Sequence, residues 1–355
     1  NLKLNDVKIL LNIFNLSIDI ETANPMISSG SEKIILGNIS TTYDIKSFFT
    51  KEFAIKKLFI DSKKNQIKKI IKLGRSYKDS AQLLIIDKII KTGDAEIYIG
   101  LNFDENGDLK DNYEIIANIE NLSIDIFNKQ KIEKISGNLR YSENKIQMRN
   151  LTSEYQGLEL FAKKILISKK NKNYAVEGTI TSKENIIPAS IISMFIKNEN
   201  IKNINLSSKN NFNFNLSKKF KISDLTFNSD IKLKKAEYVT SNIKIKKYIP
   251  NFDNKITFLD QTININSDKK LLFNGFGSFQ IGEKIDDIKY NFEINKEDVK
   301  FNFDLDINEI PFKIDLINFV KNDNEVLNLK VIGQKNKKNL LLNKINIKKN
   351  NDIIN

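Results

Sequence analysis

The sequence predicts a mainly β protein, an elongated antiparallel sheet curled into a groove with a few short helices. Apolar and polar residues alternate in many short runs, and polar turn segments recur between them. Helical spacing is confined to a few stretches. Period two places successive side chains on opposite faces, so each run reads as a strand with one apolar and one wet face. A sheet with one wet face is antiparallel rather than parallel.

The clearest runs are Asn211 to Leu216, Thr262 to Asn266 and Lys300 to Ile307. Shorter ones are Leu122 to Ile126, Ile231 to Leu233, Ile243 to Ile245, Phe292 to Ile294, Phe312 to Leu316 and Ile345 to Ile347. Turns are expected at Asn106-Gly107-Asp108, at Ser182 to Asn185, at Ser267 to Lys270 and at Asn336 to Asn339. Such polar clusters between apolar runs mark the connections of a β meander. From Ser62 to Lys91 the period changes, with Ile67, Ile70 and Ile71, then Leu83 to Ile86, Ile89 and Ile90 at helical spacing. The spacing predicts a helix pair over about 64–90, with Gly74 and Gly93 as C-terminal stops. A further short helix is expected over about 187–197, opening near Pro188. The domains expected are 1–185, carrying the helical insertion, and 186–355, continuing the sheet after that short helix.

Composition narrows the chemistry. The 355 residues carry 57 Lys+Arg against 44 Asp+Glu, a net charge of +13, with 40% hydrophobic residues. That apolar share suits a sheet buried on one face better than a thick globular core. The positive charge is almost all Lys, since Arg occurs only at Arg75, Arg140 and Arg149. Nucleic-acid readers depend on Arg forks, and the Lys residues here are spread along the whole chain, so no nucleic-acid partner is expected. Cys, His and Trp are absent. Disulfides, thiolate metal sites and imidazole bases are thereby excluded. No stretch is long and apolar enough for a membrane-spanning helix. The first residue, Asn1, is not a start methionine, and the chain reads as a fragment or processed form, so a missing N-terminal anchor is no sign of a soluble protein.

One ordered series of segments adds a family likeness. It runs through Ile18-Asp19-Ile20, Asn24-Pro25-Met26-Ile27, Lys33 to Ile39, Tyr43 to Phe49 and Ile55 to Asp61. The helix pair follows, then Gly93 to Ile99 and Asn121 to Ile124. Over residues 1 to about 181 this series resembles the AsmA-like bacterial envelope proteins, of YhdP and TamB type. The resemblance implies a long twisted sheet with an apolar concave face, through which phospholipid passes between inner and outer membranes. It implies phospholipid, the two membranes and envelope proteins as partners, and a periplasmic location behind an inner-membrane anchor. It brings no catalytic motif.

The residues expected to line the apolar face are Phe212, Phe214, Leu216, Ile263, Ile265, Phe292, Ile294, Phe301, Phe303 and Leu305. The same residues also fit the core of a closed sandwich, a structural or interaction protein of the envelope with no lipid cargo. An outer-membrane barrel would alternate too, but it needs aromatic girdles that a chain without Trp lacks. Acid pairs at Asp104-Glu105 and Asp286-Asp287 read as solvated turn residues rather than as catalytic carboxylates. Asn274-Gly275-Phe276-Gly277 is flanked by strands, so it reads as a bulge or close backbone approach rather than a phosphate loop. Lys163-Lys164, Lys169-Lys170, Lys218-Lys219 and Lys348-Lys349 are expected at strand ends, as a solvated rim that blocks edge pairing. No Ser has a base placed to activate it, so no enzyme, cofactor or metal is expected.

Overall fold

In a computed structural model the chain is mainly β, a large antiparallel sheet of many strands that is not closed into a barrel, with short helices. The structure describes residues 2–29, 32–50, 53–77, 80–126, 130–142, 144–171, 173–188, 191–193, 200–219, 221–240, 243–295, 298–322, 325–349 and 352–354. The chain divides into two compact units. The first holds residues 1–178 and 216–221, the second residues 179–215 and 222–355.

The first unit opens with β1 (Leu2–Lys3), β2 (Val7–Asn12), β3 (Ser17–Ala23), β4 (Met26–Ser29) and the long β5 (Glu32–Asp44). A single turn, α1 (Ser47–Thr50), leads to β6 (Ile55–Ser62) and the two-residue β7 (Asn65–Gln66). The helix pair is α2 (Ile67–Tyr77) and α3 (Ala81–Ile89). After it come β8 (Ile90–Asn102), β9 (Glu114–Ile126), β10 (Gln130–Ser142), β11 (Lys145–Tyr155) and β12 (Leu158–Lys170).

The helix pair lies where its period places it, but neither Gly ends a helix. α2 runs through Gly74 to Tyr77, where nothing nearer than Leu83 Cδ1 at 3.9 Å would meet an added Cβ. α3 begins at a Ser80 cap whose Oγ accepts from the Leu83 N–H, and it stops four residues before Gly93. Gly93 instead sits inside β8 at a break in register, with φ 133° and an added Cβ 2.7 Å from Leu122 Cα. Only Gly fits there, because the obstacle is backbone. Arg75 and Asp87 tie the helices together at 2.8 Å.

The second unit contains the end of β13 (Asn173–Ile186), most of β14 (Ile201–Ser217), β15 (Ile222–Val239), β16 (Lys255–Ser267), β17 (Leu271–Ile281), β18 (Lys284–Ile294) and β19 (Val299–Ile307). A small hairpin of β20 (Lys313–Ile314) and β21 (Phe319–Val320) precedes β22 (Leu327–Lys335), β23 (Leu340–Lys349) and β24 (Asp352–Ile354). From β15 to β19 every strand pairs with the next in sequence. β19 then pairs with β22, and β22 with β23.

Several local expectations give way here. Ser182 to Asn185 is strand, not turn, and Ser182 is buried against Ser208. Ile243 to Ile245 opens a 3-10 turn over Ile243–Lys247. Within Phe312 to Leu316 only Lys313–Ile314 is strand, and Asp315–Ile317 is a 3-10 turn. A run of three to five residues holds too few periods to separate a strand from a tight turn. Lys163 and Lys164 lie mid-strand in β12, exposed, and not at its end. Of the helix expected over about 187–197, the Ile191 and Ile192 N–H groups donate to the Pro188 carbonyl and residues 191–193 are helical. Residues 189, 190 and 194–197 lie outside the described residues.

Candidate functional site

The cross-strand register sorts the second unit into two unlike faces. Residues directly opposite in an antiparallel pair share a face. One row runs Ile265, Phe273, Phe292, Phe301, Gly333, Leu342 across five pairings from β16 to β23. The next runs Ile231, Ile263, Gly275, Tyr290, Phe303, Val331, Ile345. A third runs Leu233, Gln261, then Gly277, Ile288, Leu305, Leu329, Ile347. The other face carries Asn264, Asn274, Asn291 and Asn302 in one row. Beside it are the opposed charges Lys289–Asp304–Lys330 and Glu293–Lys300.

Glycines let this apolar face hold its rings. A Cβ on Gly275 would lie 2.3 Å from the Tyr290 ring, and one on Gly333 would lie 2.5 Å from Phe301. Each ring lies over the Gly directly opposite it, which covers backbone that a Gly leaves bare. Gly277 faces a bulge in β16 at Asp260 and Gln261, with an added Cβ 2.7 Å from Gln261 Cα. The expected close approach at Gly275 and Gly277 is therefore present, flanked by strand on both sides. The rings meet edge to face. Phe273–Phe292 are 6.2 Å apart at 84°, and Phe292–Phe303 are 5.4 Å apart at 87°. Such pairs add about 0.5–1.5 kcal/mol beyond their burial.

Burial along the strands is graded. Toward the β16–β17 and β22–β23 turns, Leu271, Phe273, Phe292, Ile294, Val299, Phe301 and Phe303 are half-buried. Leu340, Leu342 and Ile345 on β23 are 62%, 48% and 44% exposed. At the other end the face is covered. Ile245, Ile249 and Phe252 on one side, and Ile310, Phe312, Ile314 and Phe319 on the other, pack on Phe279, Ile288, Ile307, Leu327 and Ile347. Asp286, expected in a solvated turn, is the fastening of that cover. It lies in β18, 4% exposed. Its Oδ1 accepts from the Asn308 and Glu309 N–H groups at 2.8 and 2.9 Å, and its Oδ2 from Ile310 at 2.9 Å. Buried Lys321 donates from Nζ to the Asn308 carbonyl at 2.6 Å. Asp104, by contrast, does sit in a turn, where its Oδ1 accepts from Asn106 and Asp108.

Of the residues expected on the apolar face, Ile263, Ile265, Phe292, Ile294, Phe301, Phe303 and Leu305 fall on this one face. Phe212 and Phe214 stack at 5.9 Å on β14, at the same strand parity as Ile204, which packs with Leu233 and Ile263. Leu216 shares that parity but falls in the first unit. Tyr290, Leu271, Phe273, Leu329 and Val331 also belong to the face; Tyr290, Leu329 and Val331 stand in the alternating runs Ile288 to Ile294 and Leu327 to Val331, whereas Leu271 and Phe273 have no such run to announce them. The first unit has its own row, Thr22, Ile39, Ile60, Ile99, Ile115, Tyr141, Ile146, Ile167, unbroken across eight strands.

Burial pushes the Tyr290 phenol up to about 12. Its neutral form is favoured in the fold, so the stability it contributes is full below the ordinary tyrosine range near 10 and is lost as pH rises toward about 12. A spectrophotometric titration should show the Tyr290 phenol ionising late, and Tyr290→Phe should remove that component. Loss of a phenol that ionises near 10 instead would show that the ring is wet.

Among the described residues no cluster of three or more acidic side chains could hold a metal, and no helix is long and apolar enough to cross a membrane. Comparison with models of known protein families, with curated proteins and with solved structures finds no match.

Proposed function

We propose that this chain is a non-enzymatic holder or conduit for lipid acyl chains in a bacterial envelope, on the periplasmic side and between two membranes. The observation that carries the proposal is the apolar face of the second unit, whose aromatic rows are only half-buried, opposite a face of Asn and paired charges. Apolar area removed from water is worth ~25 cal/mol per Å² whoever covers it, so a tail can do what a second sheet does in a sandwich. The similarly continuous row in the first unit supports the same role. Alternate Phe, Ile and Leu offer a dry surface, and the opposite face keeps the protein in water. No side chain is asked to do chemistry. Phospholipid is the proposed cargo, and envelope proteins the proposed neighbours.

Lipid analysis of the purified protein by mass spectrometry tests this, with Phe303→Lys and Ile265→Lys beside it. Co-purified phospholipid should fall severalfold in both variants while circular dichroism keeps the strand signal. Lipid-free protein, or equal lipid in all three, would favour the closed structural sandwich.

A further inference from the structure

Resting on that acyl-holding role, the graded burial adds a direction. We infer that the second unit takes a lipid tail first, along its strands, with a floor at the covered end and an anionic headgroup at the open mouth. The floor is the cover built from residues 245–252 and 310–319, packed on Phe279, Ile307 and Leu327. It is fastened by Asp286 and Lys321, so it is part of the fold and not a loose flap. Above it a half-buried stretch runs from Val299 to Phe303 on β19, with Leu271 to Gly275 and Tyr290 to Ile294 beside it, its inner residues Tyr290 and Phe303 packed against the covered cluster. Four residues at ~3.4 Å each give about 14 Å. One tail in a bilayer leaflet spans about 15 Å, half of a ~30 Å hydrocarbon core.

Charge identifies the mouth's partner. The β16–β17 connection at the open end carries Lys269 and Lys270, and the β22–β23 connection carries Lys337 and Lys338 next to Lys335 at the end of β22. Lys335 stands in the same cross-strand row as Val299. Among the described residues, Asp268 and Asp298 are carboxylates of that end, and Glu293 is engaged with Lys270 at 2.6 Å. The opposite end mixes both signs, with Lys284 on Glu309, Lys313 on Asp315 and Lys349 on Glu325 beside Lys246 and Lys247. A basic rim over an apolar slot suits an anionic lipid headgroup, and the field there favours it over a zwitterionic one.

Calorimetric titration of the whole chain with lysophosphatidylglycerols of increasing tail length, each below its micelle-forming concentration, tests both halves. Affinity should rise about fourfold per methylene and then level off once the tail reaches the floor. Lysophosphatidylcholine of equal length should bind several-fold more weakly, and Lys335→Glu with Lys338→Glu should erase that preference without changing thermal unfolding. A rise with no plateau would remove the floor and leave acyl binding standing. An equal response to both headgroups, or a preference untouched by the double variant, would remove the basic mouth. Absence of binding at every length would sink the acyl-holding role itself.

Discussion

Asp286→Ala should cost roughly 3–5 kcal/mol of stability, a large effect for a residue in an acidic, Lys-rich stretch. The carboxylate accepts three successive backbone N–H groups, from Asn308, Glu309 and Ile310, in a place from which water is shut out. Bonds from N–H groups to an ionised acceptor are worth about 1.5–3 kcal/mol each, and donors left without an acceptor carry a desolvation cost. Asp286→Asn keeps one acceptor oxygen and should lose less. Urea unfolding gives the magnitude. Hydrogen exchange at the Ile310 amide gives the location, because that proton should become the first in its neighbourhood to exchange. A loss under about 1 kcal/mol, with Ile310 still protected, would mean that the apolar packing alone holds the cover in place.

Leu327→Ala is the second large effect, expected at about 3–5 kcal/mol. Leu327 is 0% exposed and stands opposite Ile307 in the register. It is enclosed by a cluster that includes Phe252, Ile310, Phe312 and Phe319. Sheet backbone on one side and a fastened cover on the other leave the cavity little room to collapse, which places the cost in the upper part of the Leu-to-Ala range. Leu342→Ala, on the same face but 48% exposed, should stay within about 0.5 kcal/mol. Chemical denaturation of the two variants side by side measures the gradient of burial directly. Equal losses would show that the open end is closed in solution.

How much of this was legible in the sequence follows from the range of each cue. Alternation is local, so Lys300 to Ile307 and Thr262 to Asn266 announced their strands and the parity of their side chains. The helix pair announced itself by period, but its ends did not, because α2 continues through Gly74, whose added Cβ would meet only Leu83 at ordinary contact distance, and Gly93 serves a bulge. β17 was harder to see, since Gly275 and Gly277 interrupt the apolar run of Leu271 to Phe279. Those glycines make sense only once Tyr290 and Gln261 are known to lie across from them. Asp286 was misread for the same reason. Its three donors lie 22 to 24 residues away, and an Asp-Asp pair among Lys and Ile looks solvated until that loop returns. The row from Thr22 to Ile167 spans eight strands, with bulges between several of them, so no single segment displays it.

The chain-order pairing from β15 to β19 has an evolutionary consequence. Each strand in that stretch needs only its two neighbours, so a duplicated hairpin can be spliced in without disturbing strands farther away. It would widen the sheet by about 9.6 Å, two strand spacings, provided the insert preserves side-chain parity. Lineages could then change the extent of such a protein through copy number, while mutation works separately on what each hairpin presents.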